Sequence, residues 1–98
     1  MIGLVRTGYV KATGWAIKIR KVANAVMKGK ADIKEINEKV SELNAKLYEV
    51  IVEKGVDRDD VVYIEVPFEI EKGKVKWIYD KIIIRWYKLN EEFSPFNF

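Results

Sequence analysis

Between residues 61 and 88, in the string VVYIEVPFEIEKGKVKWIYDKIIIRWYK, rings and bases occur together: Trp77 and Tyr79 lie in the same stretch, and Tyr63, Lys81, Ile83, Arg85 and Tyr87 fall on one face. Each ring offers a π-face on which a flat partner can stack, and each cation can stand beside an anionic group. A fully buried face should not hold Lys and Arg, and a purely solvating face has no use for two tyrosines and an isoleucine. The pattern therefore points to a contact surface. An ordinary half-exposed sheet, with Tyr rings packed on Arg stems, fits the same residues.

The element that must position these side chains is a long β-hairpin, since β-branched and aromatic residues alternate with charges on both sides of one tight turn. Lys72-Gly73 is that turn, because glycine accepts the positive φ that a two-residue loop requires. This register sets Glu71 opposite Lys74, Glu69 opposite Lys76, Ile70 opposite Val75 and Phe68 opposite Trp77. Carried further, it would turn Lys81 and Arg85 onto the apolar face, so a one-residue bulge near Asp80 is expected. Glu65 then meets Lys81. Ile82, Ile84 and Trp86 join Val62 and Ile64 on one face, and Tyr63, Lys81, Ile83, Arg85 and Tyr87 share the other. Pro67 lacks an N–H, which predicts a bend with its nitrogen side at an edge.

Upstream, residues 2–10 read as a strand of ambiguous phase, loosened by Gly3 and Gly8. The phase is open between Leu4 with Val10 inward and Val5 with Tyr9 inward, and Arg6 is expected on the opposite surface, beside Arg85. Thr13 or Gly14 opens a first helix whose core stripe is Trp15, Ile19, Val22, Ala23 and Val26. Lys18 and Lys21 lie off that stripe and Arg20 at its flank, forming either a solvated helix back or a cationic rim. Asp32 and Glu35 have capping-box spacing. Ile33, Ile36, Val40, Leu43, Leu47 and Val50 or Ile51 then define a second amphipathic helix, ended by Gly55 with Val56 as the apolar contact of the cap. This stripe packs on the sheet more simply than it forms a dimer seam. Residues 56–60 turn the chain, and residues 90–98 (NEEFSPFNF) form a tail with acids and three phenylalanines. That tail is open to tucking onto the sheet, to self-association or to docking a partner protein.

The composition narrows the function. Ninety-eight residues fit one domain that buries ~60–70% of its unfolded surface. There is neither Cys nor His, which removes thiolate zinc sites, cysteine nucleophiles, the commonest metal ligand and the usual neutral-pH acid–base group. An enzyme is disfavoured; catalytic residues, metal ligands and cofactors are all expected to be none. No apolar run suits a membrane span or a secretory leader, so a cytoplasmic location is expected. Charged residues at 34%, rich in Lys and Glu, fit a hyperthermophile. The net charge of +3 admits an anionic partner if the bases are focused on one face.

Several strings carry a likeness. Residues 6–10, with Thr-Gly before an apolar strand end, WAIKIRKV at 15–22, LNAKLYEVIVEK at 43–54 and DVVYI at 60–64 resemble the ThermoDBP-related family of archaeal single-stranded DNA-binding proteins. The resemblance spans most of residues 4–88. It implies an α+β domain in strand–helix–helix–hairpin order, two helices packed on a bent antiparallel sheet of three to four strands, over residues 1–89. It also implies a cleft of apolar and aromatic residues edged by bases, in which single strands are laid by stacking without an oligonucleotide-binding barrel. On the matching strings, Lys18, Arg20 and Lys21 fall on the basic edge and Tyr63 at the start of the hairpin. Arg6, Trp77, Tyr79, Lys81, Arg85 and Tyr87 join them from the strand-face pattern alone. Fuller members continue into a C-terminal helix of leucine-zipper character, whereas this chain ends in the Phe-rich tail, so its homo-oligomeric state does not carry over.

The expected function is binding of single-stranded DNA or RNA without sequence preference, through stacking and phosphate contacts. The alternatives are a protein-interaction module working through the tail or the helix seam, a small nuclease using Asp57, Asp59 and Asp60 with a divalent metal, and a duplex-binding chromatin protein using Lys72, Lys74 and Lys76.

Overall fold

Strands of period two and helices with one apolar stripe bury their faces most simply against each other, and the chain does this in two layers. The computed structural model describes residues 1–96. Strand β1 (Ile2–Lys11) leads through a short 3₁₀ turn into helix α1 (Trp15–Val26) and helix α2 (Ile33–Lys54). Strands β2 (Val61–Glu71), β3 (Lys74–Trp77) and β4 (Ile83–Tyr87) follow, the last two separated by a 3₁₀ turn at Tyr79–Lys81. These four strands pair antiparallel: β1 flanks one side of β2, and β3 and β4 both pair with β2.

The hairpin tip follows the sequence pattern. Lys72 and Gly73 have φ of 53° and 75°, the double positive φ of a type I′ turn, and the four expected pairs from Glu71–Lys74 to Phe68–Trp77 all form. Beyond them the one-residue bulge is replaced by a longer break. Two residues of β2 lie between Glu65 and Phe68, against five on the other side between Trp77 and Ile83, so three are extra. Glu65 consequently faces Ile83 and not Lys81. Because one and three are both odd, the side chains of β4 still fall on the expected faces. The carbonyl of Pro67 accepts from the N–H of Ile78 at 2.9 Å. N and C=O of a strand residue point the same way, so its donorless nitrogen faces this break.

β1 combines both candidate phases. Arg6 pairs with Glu65 and Tyr9 with Tyr63, leaving Thr7 and Gly8 opposite Ile64 alone. Gly8 sits at φ 67° in this bulge, where a side chain would be strained. Buried Thr7 donates to the Gly8 carbonyl at 2.7 Å and accepts from the N–H of Ile64 at 2.9 Å. Val5 and Val10 therefore point inward, and Arg6 and Tyr9 outward.

Both helices cover the inner face. Trp15, Ile19, Ala23 and Met27 of α1 and its exit, with Ile36, Val40, Leu43, Leu47 and Ile51 of α2, share one core with Val5, Val62, Ile64, Val66, Phe68, Val75 and Trp77. The α1 stripe ends on Met27, not on Val26, which is 37% exposed. The i, i+4 row from Trp15 passes through Met27 and leaves Val26 a quarter turn away. Ile33 at the start of α2 is likewise exposed. The capping box does not form: Asp32 makes no side-chain cap bond, and Glu35 accepts from the N–H of Val75 at 2.9 Å instead, tying α2 to the hairpin tip. Gly55 closes α2 in the αL conformation with Val56 packed behind it.

Candidate nucleic-acid interface

A four-stranded sheet covered on one side leaves its outer face open, and there the β2–β4 pairing and the β1 bulge collect rings from three strands. Tyr9 of β1, Tyr63 of β2 and Tyr87 of β4 stand side by side. Their centroids lie 5.1 Å apart for Tyr9–Tyr63 and 5.8 Å for Tyr9–Tyr87. The Arg85 guanidinium carbon lies 4.8 Å from the Tyr63 ring centroid. Tyr9 is 64% and Tyr87 46% exposed. Lys11 and Ile83 are also exposed on this face.

One carboxylate enters the cluster. Glu65 accepts a hydrogen bond from the Tyr63 hydroxyl and lies 3.8 Å from Nε of Arg6. The bond to Glu65, with burial and the carboxylate charge added, raises the Tyr63 pKa above the ordinary phenol value, so the ring stays neutral and donating. The tip end of the same face is different: Glu69 and Glu71 stand opposite Lys76 and Lys74, and cations and anions balance.

The structure separates the expected site residues. Arg6, Tyr63, Arg85 and Tyr87 come together on the outer face. Trp77 does not join them: it is 4% exposed, packs edge-on to Phe68 at 6.1 Å and donates its indole N–H to the Lys39 carbonyl at 2.9 Å. Its place in the pleat puts it under α2. Tyr79 lies on the helix side, with Lys46 of α2 at 4.5 Å from its ring centroid, and Lys81 is exposed at the strand break. Lys18, Arg20 and Lys21 belong to α1, across the core from the rings. Arg20 bridges the helices, donating to Asn37 Oδ1 at 3.1 Å and Ser41 Oγ at 3.0 Å. It lines a groove with Lys21, Ala16 and Asn44.

Tyr9 and Lys11 are additions that the strand pattern missed. Thr-Gly inside a strand is the signal that could have found them, since a bulge lets Arg6 and Tyr9 share a face. Asp60, weighed in the sequence as a metal-binding acid, takes a different place. It is 3% exposed and accepts from the Trp86 indole at 2.8 Å, from the Asp57 N–H at 2.9 Å and from the Leu89 N–H at 3.3 Å. The Trp86 bond is the largest cause holding its carboxyl below the usual carboxylate value. Asp60 thus anchors the end of β4, and among the described residues no group of three or more acidic side chains is placed to hold a metal. No helix among them is long and apolar enough to cross a membrane.

The fold is similar to that of solved proteins. The crystal structure of pfuThermo-DBP-RP1 (crystal form II) is similar at a TM-score of 0.85 and 41% identity, covering 88% of this chain and 58% of that one. The crystal structure of apeThermo-DBP-RP2 bound to ssDNA dT10 is similar at 0.86 and 27% identity, covering 93% of this chain and 44% of that one. The chain thus spans little more than half of the first solved protein and less than half of the second. No curated protein matches the sequence significantly. The profile of the family described as "ThermoDBP-related, archaea" matches residues 5–76, from β1 into β3. With its strand–helix–helix–hairpin order found in the fold, the chain belongs to the ThermoDBP-related family of archaea.

Proposed function

We propose that this protein binds single-stranded DNA, without sequence preference, across the outer face of its sheet. The observation that carries the reading is the three-strand cluster of Tyr9, Tyr63 and Tyr87 with Arg85 against the Tyr63 ring. Bases stack on the exposed tyrosines, each worth ~1–3 kcal/mol, while Arg6, Lys11 and Arg85 replace counterions along the phosphates. Every base has a π-face, which leaves sequence preference weak; a paired duplex keeps its bases stacked on one another and cannot offer them to the rings. The family relative solved with dT10 supports the same partner class.

The testing experiment is anisotropy of labelled dT oligonucleotide, matched single-stranded RNA and duplex, titrated across a range of salt. Single strands should bind more tightly than duplex, with affinity falling as salt rises, and the DNA-to-RNA ratio reports the preference between them. Absence of single-strand binding at low salt overturns the function. Full binding by Tyr9→Ala and Tyr87→Ala, with loss in Tyr79→Ala, overturns the surface and moves the strand to the helix side of the sheet.

A further inference from the structure

The three tyrosines of the outer face are not held alike. Tyr63 is paired on both sides, with Tyr9 and with Arg85, and Tyr9 has two further paired residues, Val10 and Lys11, between it and the end of β1. Tyr87 occupies the last pair of β4, opposite Val61, on a strand that among the described residues pairs with β2 alone. An edge strand frays from its last pair unless something holds it.

Asp60 supplies that hold. It immediately precedes Val61, and its side chain, 3% exposed, reaches residues on both sides of Tyr87: Oδ2 accepts from the Trp86 indole N–H at 2.8 Å and Oδ1 from the Leu89 N–H at 3.3 Å. The Asp57 N–H, 2.9 Å from Oδ2, fixes the carboxylate in turn, and Lys88 Nζ at 3.9 Å adds a counter-charge. A buried carboxylate is costly unless its hydrogen bonds are made, and these bonds are made to groups that bracket Tyr87. The main-chain carbonyl of Asp60 accepts from the N–H of Ala12 at 2.8 Å, just past the end of β1. One residue thus ties together the ends of the three strands that carry the rings.

We propose that Asp60 is a positioning residue of the nucleic-acid face: by holding Trp86 and Leu89 it keeps the Tyr87 ring beside Tyr9, with 5.8 Å between their centroids, so that the edge strand presents a stacking surface already formed. The proposal rests on the reading of the outer face as the surface that takes single strands. Buried as it is, Asp60 does not meet the ligand, and its effect passes through Tyr87. The second carboxylate oxygen is essential to the hold. An amide has one acceptor oxygen, so in Asp60→Asn either the Trp86 and Asp57 donors or the Leu89 donor meets an NH₂ group, and one side of Tyr87 is released. The main-chain bond to Ala12 is untouched by that change, which leaves Tyr9 in place.

Anisotropy of labelled dT oligonucleotide with the full chain, in double-mutant cycles of Asp60→Asn with Tyr87→Ala and with Tyr9→Ala, tests this below the melting transition of every variant. Asp60→Asn should weaken binding about fivefold or more, within the roughly five- to 150-fold range of one stacked base. That loss should persist in the Tyr9→Ala background and vanish in the Tyr87→Ala background. Faster hydrogen exchange at the Leu89 amide or the Trp86 indole, read by NMR, should accompany it. If Asp60→Asn does not fold, Trp86→Phe, which keeps a ring and removes the indole donor, should give the same pattern with a smaller loss. Full affinity in Asp60→Asn, or an undiminished loss in the Tyr87→Ala background, overturns the positioning role while the reading of the face stands. Full affinity in Tyr87→Ala, or no binding by the parent chain, overturns that reading and the positioning role with it.

Discussion

The two halves of β2 use the same alternation for opposite ends. From Phe68 to Glu71 the strand pairs with β3: its inner side chains lie under α2 and its outer carboxylates face lysines. From Val61 to Glu65 it is flanked by β1 and β4, and the outer side carries tyrosines and bases without an equal number of acids. Rings inward at the tip contribute stability, whereas rings outward at the base remain available to a ligand. One strand therefore divides into a half that serves the core and a half proposed for binding, and the break at Pro67 and residues 78–82 is where they meet.

Variants can break or sharpen that division. The largest effect belongs to the tip: Trp77→Ala should cost about 3–5 kcal/mol of stability by emptying the space beside Phe68, read by denaturant unfolding. Affinity for single strands should change little in conditions where the variant is still folded. Next comes the anchor of the binding half. The Asp60 carboxyl titrates below its unfolded value, so its contribution is present above the unfolded pKa and is lost as the pH falls through the lowered folded one. Melting curves across acid pH should show Asp60→Asn less stable than the parent at neutral pH, with the gap closing as the pH drops through that window.

At the base, Tyr9→Ala and Tyr87→Ala should each weaken single-strand binding by ~1–3 kcal/mol, roughly five- to 150-fold, with melting temperature nearly unchanged. Anisotropy and calorimetry on the same samples test this; coupled loss of both properties would erase the distinction between the halves. Arg85→Ala should make the negative slope of log affinity against log salt shallower by about 0.7, the share of one phosphate contact on a single strand. The smallest effect is expected for Lys76→Ala, whose Nζ lies 4.0 Å from Glu69 with its side chain 77% exposed. It should cost at most about 1 kcal/mol of stability and leave binding unchanged.

These contrasts trace how much was legible beforehand. The tip register, the Lys72-Gly73 turn, the Gly55 cap and the α2 stripe through Leu43 and Leu47 were readable because each depends on neighbours close in sequence or on a strict period. Which side chains share the outer face was readable in part. Tyr63, Arg85 and Tyr87 were assigned together from face parity, which survives any odd-numbered break. Trp77 was a site candidate although its pairing with Phe68 also suited a core, because its type is at home in both, and only the arrival of α2 over that pleat buries it. Arg20 carried the right charge, but Asn37 and Ser41, brought beside it by helix packing, make it a bridge between the helices.

By itself the sequence determined the alternation of the hairpin, the amphipathic helices, the absence of thiol and imidazole chemistry and the presence of rings and bases in excess at one end of β2. These follow from local stereochemistry and composition, which every stretch of chain carries with it. Only the tertiary structure decided that the Gly8 bulge turns Tyr9 outward onto Tyr63 and Tyr87, that Asp60 is buried beneath Trp86, and that the inner side of β4 is left open. Each of those outcomes joins residues tens of positions apart. It depends on which strand edges and helix faces meet, and no local period records that choice.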